Sequence, residues 1–302
     1  MALSVIAPAS PMRMPRDANA AVPLDLVVQA PAIAREDVAM LAALTDADDV
    51  EPLAHAAAEA YRFHNIRQHD GVAAACAASG YDCALVPQSR RRERVRVVAM
   101  DMDSTLITIE CVDELAALQD IERQVAPITE SAMRGEIDFA ESLRRRVALL
   151  AGTPITALER VFSERLALSP GAQAMLAGFR AVGARTLLVS GGFTFFTDRL
   201  QAQLDLDCTL ANVLEIADGK LTGRVVGNIV DARSKAQAFL RCADKTRGDD
   251  GLAVAIGDGA NDLPMLNAAD VSVAYHAKPA VRAQAMHAID HCGLDAVLNL
   301  FV

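Results

Sequence analysis

The sequence has no tryptophan and only 4% aromatic residues, yet 52% of its 302 positions are hydrophobic, which is enough aliphatic material for one or two packed domains. It has no excess of positive charge. Lys and Arg number 29 against 39 Asp and Glu, a net charge of −10, which excludes a broad basic field for nucleic acid or an anionic membrane surface. An anionic ligand must then be held locally, by a metal, a few cations and backbone N–H groups. No C-x-x-C pair occurs among Cys76, Cys83, Cys111, Cys208, Cys242 and Cys292. Scattered cysteines in a chain this long argue against a disulfide scaffold and for reduced thiols in the cytoplasm. No run has the length of a membrane span. The first short apolar run has no charged residue ahead of it and prolines soon after, unlike a secretory signal.

The patterning divides the chain. Residues 1–22, rich in Ala, Pro and Met without period, are expected to form a mobile arm. Residues 23–87 are expected to form a small α+β domain. In it LDLVVQA (Leu24 to Ala30) and YDCALV (Tyr81 to Val86) read as strands, REDVAMLAALT as a helix, and the Ala-rich stretch through Ala75 as further helix. The basic run over 88–94 reads as a solvated linker. From 95 to 302 apolar strands alternate with helical patterns, as in a doubly wound, Rossmann-like parallel sheet. RVRVVAM runs into DMDST, ARTLLV into SGGF and GLAVAI into GDGAND, so three polar loops would meet at the carboxyl ends of the strands, where such sheets bind ligands. LEIADGKLTGRVVG, turning at Asp218-Gly219, reads as an inserted hairpin. The charged, helical stretch at about 107–168 reads as an inserted cap over the same edge.

The first loop sets the chemistry. Asp101 and Asp103 stand two residues apart at a strand end, where two ionised carboxylates repel unless a cation lies between them. A second acidic group, Asp258, Asn261 and Asp262, follows the strand Leu252 to Ile256. Oxygen-only ligands favour Mg²⁺ over zinc, which prefers His and Cys. Ser190 and Gly191 offer a hydroxyl and backbone donors that approach phosphate oxygens closely, and Lys235, at a helix start, supplies a cation. Each loop alone could be an ordinary turn, and the lysine a solvated one. Four carboxylates buried at one edge, however, require cations. His287 and His291 share the i, i+4 spacing of a helical metal pair, but no third ligand stands near, and packing is the plainer reading.

In their order the stretches DMDST, VSGG, the lysine of DARSKA and GDGANDLPM resemble the four motifs of the haloacid dehalogenase superfamily, from Val95 to the C-terminus. The resemblance implies Asp101 as a nucleophile that becomes an aspartyl-phosphate, and Asp103 as general acid and then base. It implies Mg²⁺ on Asp101, the Asp103 carbonyl and Asp258. Ser190, Gly191, Lys235 and Asn261 would hold the phosphoryl group, with Asp262 orienting Lys235.

Glu110, nine positions after Asp101, together with Met133, Phe139 and Arg146 in the cap stretch, is similar to the phosphoserine phosphatase family. There a glutamate meets the substrate ammonium and an arginine its carboxylate. Read alone, Glu110 could equally be a first-turn helix glutamate, and Arg144 to Arg146 a solvated face, since at 100° per residue the three cannot all face one pocket. The resemblance implies phosphoserine hydrolysis at the end of serine synthesis, a small phosphorylated amino acid as partner, no nucleic acid or membrane, and room for a homodimer. Two other readings stand beside it: a hydrolase or phosphotransferase for another small phosphorylated metabolite, and a receiver-like signalling module. The latter leaves Asp103 and the cap without roles.

Overall fold

The computed structural model describes residues 22–54, 57–246, 248 and 250–302, so all but the last residue of the expected arm lies outside the described residues. The N-terminal unit runs β1 (Leu24–Ala30), α1 (Arg35–Thr45), β2 (Asp49–Pro52), β3 (Glu59–His64), α2 (Val72–Ser79) and β4 (Asp82–Pro87). Its four strands pair antiparallel in the order β2-β3-β1-β4. The Ala-rich stretch is therefore not the long helix its composition suggests. Ala60 and Phe63 bury against β1, Pro52 stands in β2, and among the described residues of the stretch only those of α2 are helical. Pairing to β1 overrides the helical preference of alanine, as tertiary context routinely does.

Alternation along β1 serves two cores. Leu26 and Val28 pack with α1 and α2, whereas Val27 joins Ala84 and Val86 in the core of the larger domain. Polar contacts reinforce the junction: buried Arg62 donates to the carbonyls of Asn299 (2.9 Å) and Phe301 (2.7 Å), and Asp82 accepts from the N–H groups of Asp290, His291 and Cys292.

The basic run is likewise not fully solvated. Arg90 is 0% exposed and donates to Nε2 of His287 at 2.7 Å. Burial, and then the guanidinium, holds His287 well below its ordinary pKa and therefore neutral, ready to accept. His287 lies in a strand and His291 beyond it, so the pair is not on one helix.

The larger unit begins with β5 (Val95–Met100). The insertion α3 (Cys111–Leu118), α4 (Glu122–Met133), α5 (Phe139–Leu149) and α6 (Ile155–Arg160) follows, its ends joined by a bridge between Ile107 and Leu168. Next come α7 (Ala172–Arg180), β6 (Arg185–Phe193), α8 (Thr194–Leu204), β7 (Cys208–Ala217), β8 (Lys220–Val226) and α9 (Ala232–Thr246). The chain ends through β9 (Leu252–Gly257), α10 (Leu263–Ala268), β10 (Val271–Tyr275), α11 (Pro279–Arg282) and β11 (His287–Ile289). In the stretch Pro279 to Met286 only the four residues of α11 are helical.

Seven strands form one sheet in the order β11-β10-β9-β5-β6-β7-β8, parallel except for the β7–β8 hairpin. Central β5 and β9 are apolar nearly throughout because helices cover both faces of such a sheet. From β5 the chain builds outward through β6 and β7, then returns through α9 to β9 on the other side of β5. That reversal puts the carboxyl ends of β5 and β9 at the switch point where this architecture binds ligands. The hairpin also holds the cap. Gly152 N–H donates to Leu221 O, Leu221 N–H to Thr153 O and Ile155 N–H to Gly219 O, at 2.8, 2.8 and 2.9 Å. At Gly223, with φ +83°, a Cβ would lie 2.9 Å from Ala151 Cβ.

Candidate active site

Asp101 directly follows β5, and its N–H donates to Ile256 O at 3.1 Å, which ties the residue to the end of β9. Its Oδ1 accepts from Met102 N–H at 2.7 Å and meets Lys235 Nζ at 2.8 Å. Lys235, in the first turn of α9 and 1% exposed, also donates to Asp262 Oδ1 at 2.9 Å. The other Asp262 oxygen accepts from Gly259 N–H at 3.0 Å. Asn261 Nδ2 reaches Asp101 Oδ2 at 3.5 Å. Burial works against the lysine's charge, but Asp101 and Asp262 outweigh it and raise its pKa.

Asp103 accepts from Cys111 N–H at 3.1 Å. Burial, and then Glu110, pushes its carboxyl up to about 7. Asp258 accepts from the Thr105 hydroxyl at 3.0 Å and is pushed up to about 6 by burial and by Asp262. Asp101 is held well above the carboxylate range by burial and Asp262, with Lys235 pulling the other way. One buried ammonium thus faces four carboxylates.

Ligand atoms of Asp101, Asp258 and Asp262 lie within 4.8 Å of one another. Both oxygens of Asp262 already accept hydrogen bonds. Asp101 and Asp258, each with an oxygen not strongly engaged, are the members left to meet a cation. A hard-oxygen set with excess negative charge and no His or Cys fits a divalent cation of the magnesium type.

A cavity of about 460 Å³ opens above this cluster. Asp101, Asp103, Asp258, Asn261 and Gly191 form its floor, while Glu110, Met133, Phe139 and Arg146 line it from the cap side. Ser190, Lys235 and Asp262 lie behind the wall, fully buried. The Ser190 hydroxyl accepts from Gly192 N–H at 2.8 Å, and its own hydrogen remains free to donate. The SGG stretch is the end of β6 rather than a separate loop.

Of the three consecutive arginines, Arg144 and Arg145 face solvent and Arg146 turns inward. Its Nε is buried without a hydrogen-bond partner. Burial lowers its pKa while Asp113, Glu110 and Asp103 oppose that shift. Glu110, at the N-cap of α3, accepts from the Ser104 hydroxyl at 2.8 Å. Met133 is exposed at the rim, and the Phe139 ring presses on Gly191, where a Cβ would stand 2.7 Å from it.

Sequence reasoning passed over three neighbours. Thr105 holds Asp258 and could have been marked from DMDST. A Cβ at Gly192 would lie 2.9 Å from Asp103 Oδ2, so any side chain there would displace that carboxylate. Lys278 adds a cation to the cavity wall from the body side, and nothing in its sequence surroundings marks it.

Residues 95–270 match the haloacid dehalogenase-like hydrolase family, and the chain belongs to that class of enzymes rather than to the receiver modules. Over 210 residues it is 52% identical to a phosphoserine phosphatase of Polaromonas sp. (strain JS666), covering 68% of this chain and 89% of that protein. It therefore belongs, within the class, to the phosphoserine phosphatase family. A probable phosphoserine phosphatase from Vibrio cholerae, solved in unliganded form, superposes with a TM-score of 0.76 at 35% identity, over 91% of this chain and 85% of that one. A hydrolase of the same superfamily from Salmonella enterica serovar Typhi has a TM-score of 0.81 at 30% identity, over 92% and 98% of the two chains. Both overlaps are long enough to include the N-terminal unit.

Proposed function

We propose that the protein hydrolyses O-phosphoserine to serine and inorganic phosphate with Mg²⁺ as cofactor. The observation that carries the reading is the polarity of the cavity. A nucleophile site, Asp101 against Lys235, forms its floor, and a glutamate and an arginine that forms no ion pair among the described residues line it from the cap side. A phosphorylated amino acid carries the matching groups: a phosphoryl group at one end, and an ammonium and a carboxylate at the other.

An Asp101 oxygen attacks phosphorus and forms the aspartyl-phosphate as the bond to the serine oxygen breaks, and Asp103 gives that oxygen its proton. Asp103 then takes a proton from a water that attacks phosphorus, releasing phosphate and restoring Asp101. A carboxyl near neutrality suits both steps, because either protonation state is reachable at working pH. Lys235, Gly191, Ser190 and Asn261 stabilise the phosphoryl oxygens, and Asp262 keeps Lys235 aimed at Asp101. Asp101, the Asp103 carbonyl and Asp258 would hold Mg²⁺, which when bound supplies positive charge to the transferring group. Glu110 receives the ammonium and Arg146 the carboxylate, while Met133 and Phe139 help exclude water.

The test is phosphate release from a panel of phosphorylated metabolites with and without Mg²⁺. Phosphoserine should exceed phosphothreonine and sugar phosphates by a wide margin. Equal rates across the panel would reject phosphoserine as the substrate.

A further inference from the structure

We propose that Asn212 is a positioning residue for the phosphoryl-binding stretch of β6, acting through its side-chain amide; this rests on the assignment of Ser190 and Gly191 to the phosphoryl group. The register of β6 on β7 runs evenly from Leu187↔Cys208 to Val189↔Leu210, then jumps to Phe193↔Asn212. β6 advances four residues over that jump while β7 advances two, so Ser190, Gly191 and Gly192 bulge out of the ladder. The bulge takes the Gly191 carbonyl out of strand pairing. Asn212, 1% exposed, fills the gap: its Nδ2 donates to Gly191 O at 2.8 Å.

The consequence passes through one peptide plane. In a trans peptide the Gly191 C=O and the Gly192 N–H point in opposite directions. Drawing the carbonyl toward Asn212 therefore aims the Gly192 N–H at the Ser190 hydroxyl, which accepts it at 2.8 Å. With that lone pair engaged, the Ser190 hydrogen is directed elsewhere, available to a phosphoryl oxygen. The other end of the amide reaches the second phosphoryl-binding element. Asn212 Oδ1 accepts from Val230 N–H at 2.8 Å. The next residue, Asp231, accepts from the N–H and hydroxyl of Ser234 at the start of the helix that carries Lys235. A single buried planar group thus sets the spacing between the Gly191 bulge and the Lys235 helix.

The test uses Asn212→Asp and Asn212→Ser in the full-length protein. The aspartate keeps an acceptor for Val230 and turns an oxygen toward Gly191 O. The serine introduces no charge and is too short to reach both partners, and it supplies the measurement if the aspartate variant does not fold. We expect the inhibition constant of inorganic phosphate to rise about tenfold or more, in line with the loss of one buried hydrogen bond. We also expect kcat for phosphoserine and for an aryl phosphate to fall by the same factor, because both use the bulge, so their ratio stays at the parent value. A folded variant with the parent's phosphate inhibition and kcat overturns the proposal, as does one that loses only thermal stability. The phosphate and aryl phosphate measurements read Asn212 even if phosphoserine proves not to be the substrate, so the two readings fail separately.

Discussion

Asp103→Asn should stabilise the metal-free protein while disabling it. The Asp103 carboxyl titrates at about 7 in the fold against an ordinary 3.8, a difference of about 3 units, and each unit corresponds to about 1.4 kcal/mol. A folded pKa above the unfolded one means the cost is absent below the unfolded value, grows as pH rises and is complete above the folded value. At pH 8 the ionised carboxylate therefore withholds nominally about 4 kcal/mol. Asp103 is only part-buried, and solvent screening reduces this to about 1–3 kcal/mol. Asparagine carries no charge to desolvate, retains an oxygen for Cys111 N–H and removes the repulsion with Glu110. At roughly 2–4 °C per kcal/mol, the variant should melt about 2–12 °C above the parent at pH 8 in chelator. At pH 5 the parent's Asp103 is mostly protonated, and the gap should shrink to less than half. Taking the gap between the two proteins removes the contribution of neutral, buried His287, which is common to both. Activity should meanwhile fall by about 10² to 10⁴, the usual worth of general acid–base catalysis. The readout is thermal unfolding at the two pH values alongside phosphate release. A variant that melts below the parent at pH 8, or a gap that does not narrow at pH 5, would refute the argument.

Asp101→Asn should fold and show no turnover, since an amide is a poor nucleophile; substantial phosphate release by the folded variant would remove the covalent intermediate. Arg146→Ala and Glu110→Gln should each lower the phosphoserine to aryl phosphate rate ratio, by on the order of 10² for the arginine. An unchanged ratio in both would leave the phosphatase chemistry but not the substrate. Gly192→Ala forces a methyl to 2.9 Å from both Asp103 Oδ2 and Met102 Cε. It should lower kcat at least about tenfold and cost about 1–3 kcal/mol of stability by overpacking, and a variant with parental kcat would show that the loop yields freely. Chelation should abolish activity, with Mg²⁺ restoring it and Ca²⁺ doing so poorly because its coordination is larger and looser; full activity in excess chelator would contradict the cofactor assignment.

The site was readable in sequence to the extent that its chemistry sits on short local stretches. Asp101, Asp103 and Asp258 follow apolar runs that can only be buried strands, and a parallel sheet brings such strand ends together whatever the rest of the chain does. Ala60 and Phe63 were hidden because their strand exists only by pairing with β1, a long-range contact that alanine content does not announce. Arg90 reads as one more solvated arginine, and its burial depends on His287 and Met286, nearly two hundred residues away. Asn212 follows the same logic: its importance lies in a register jump on a neighbouring strand, which no local pattern encodes. Helical geometry forbids Arg144, Arg145 and Arg146 from all facing inward, but it was the family resemblance that singled out Arg146.

The backbone bonds between the hairpin and residues 152–155 tie the cap to the edge strands of the large sheet. Arg146 lies in the last turn of α5, the helix that leads into the bonded segment and packs against β8. Its place above Asp101 is held by the packing of α5 against both β8 and α4. Shifting that register by two residues would keep the same strand face inward and carry the arginine up or down with every catalytic loop untouched. Under the carboxylate contact proposed for Arg146, such a shift would alter the span between the two ends of the substrate through a hairpin that does not line the cavity.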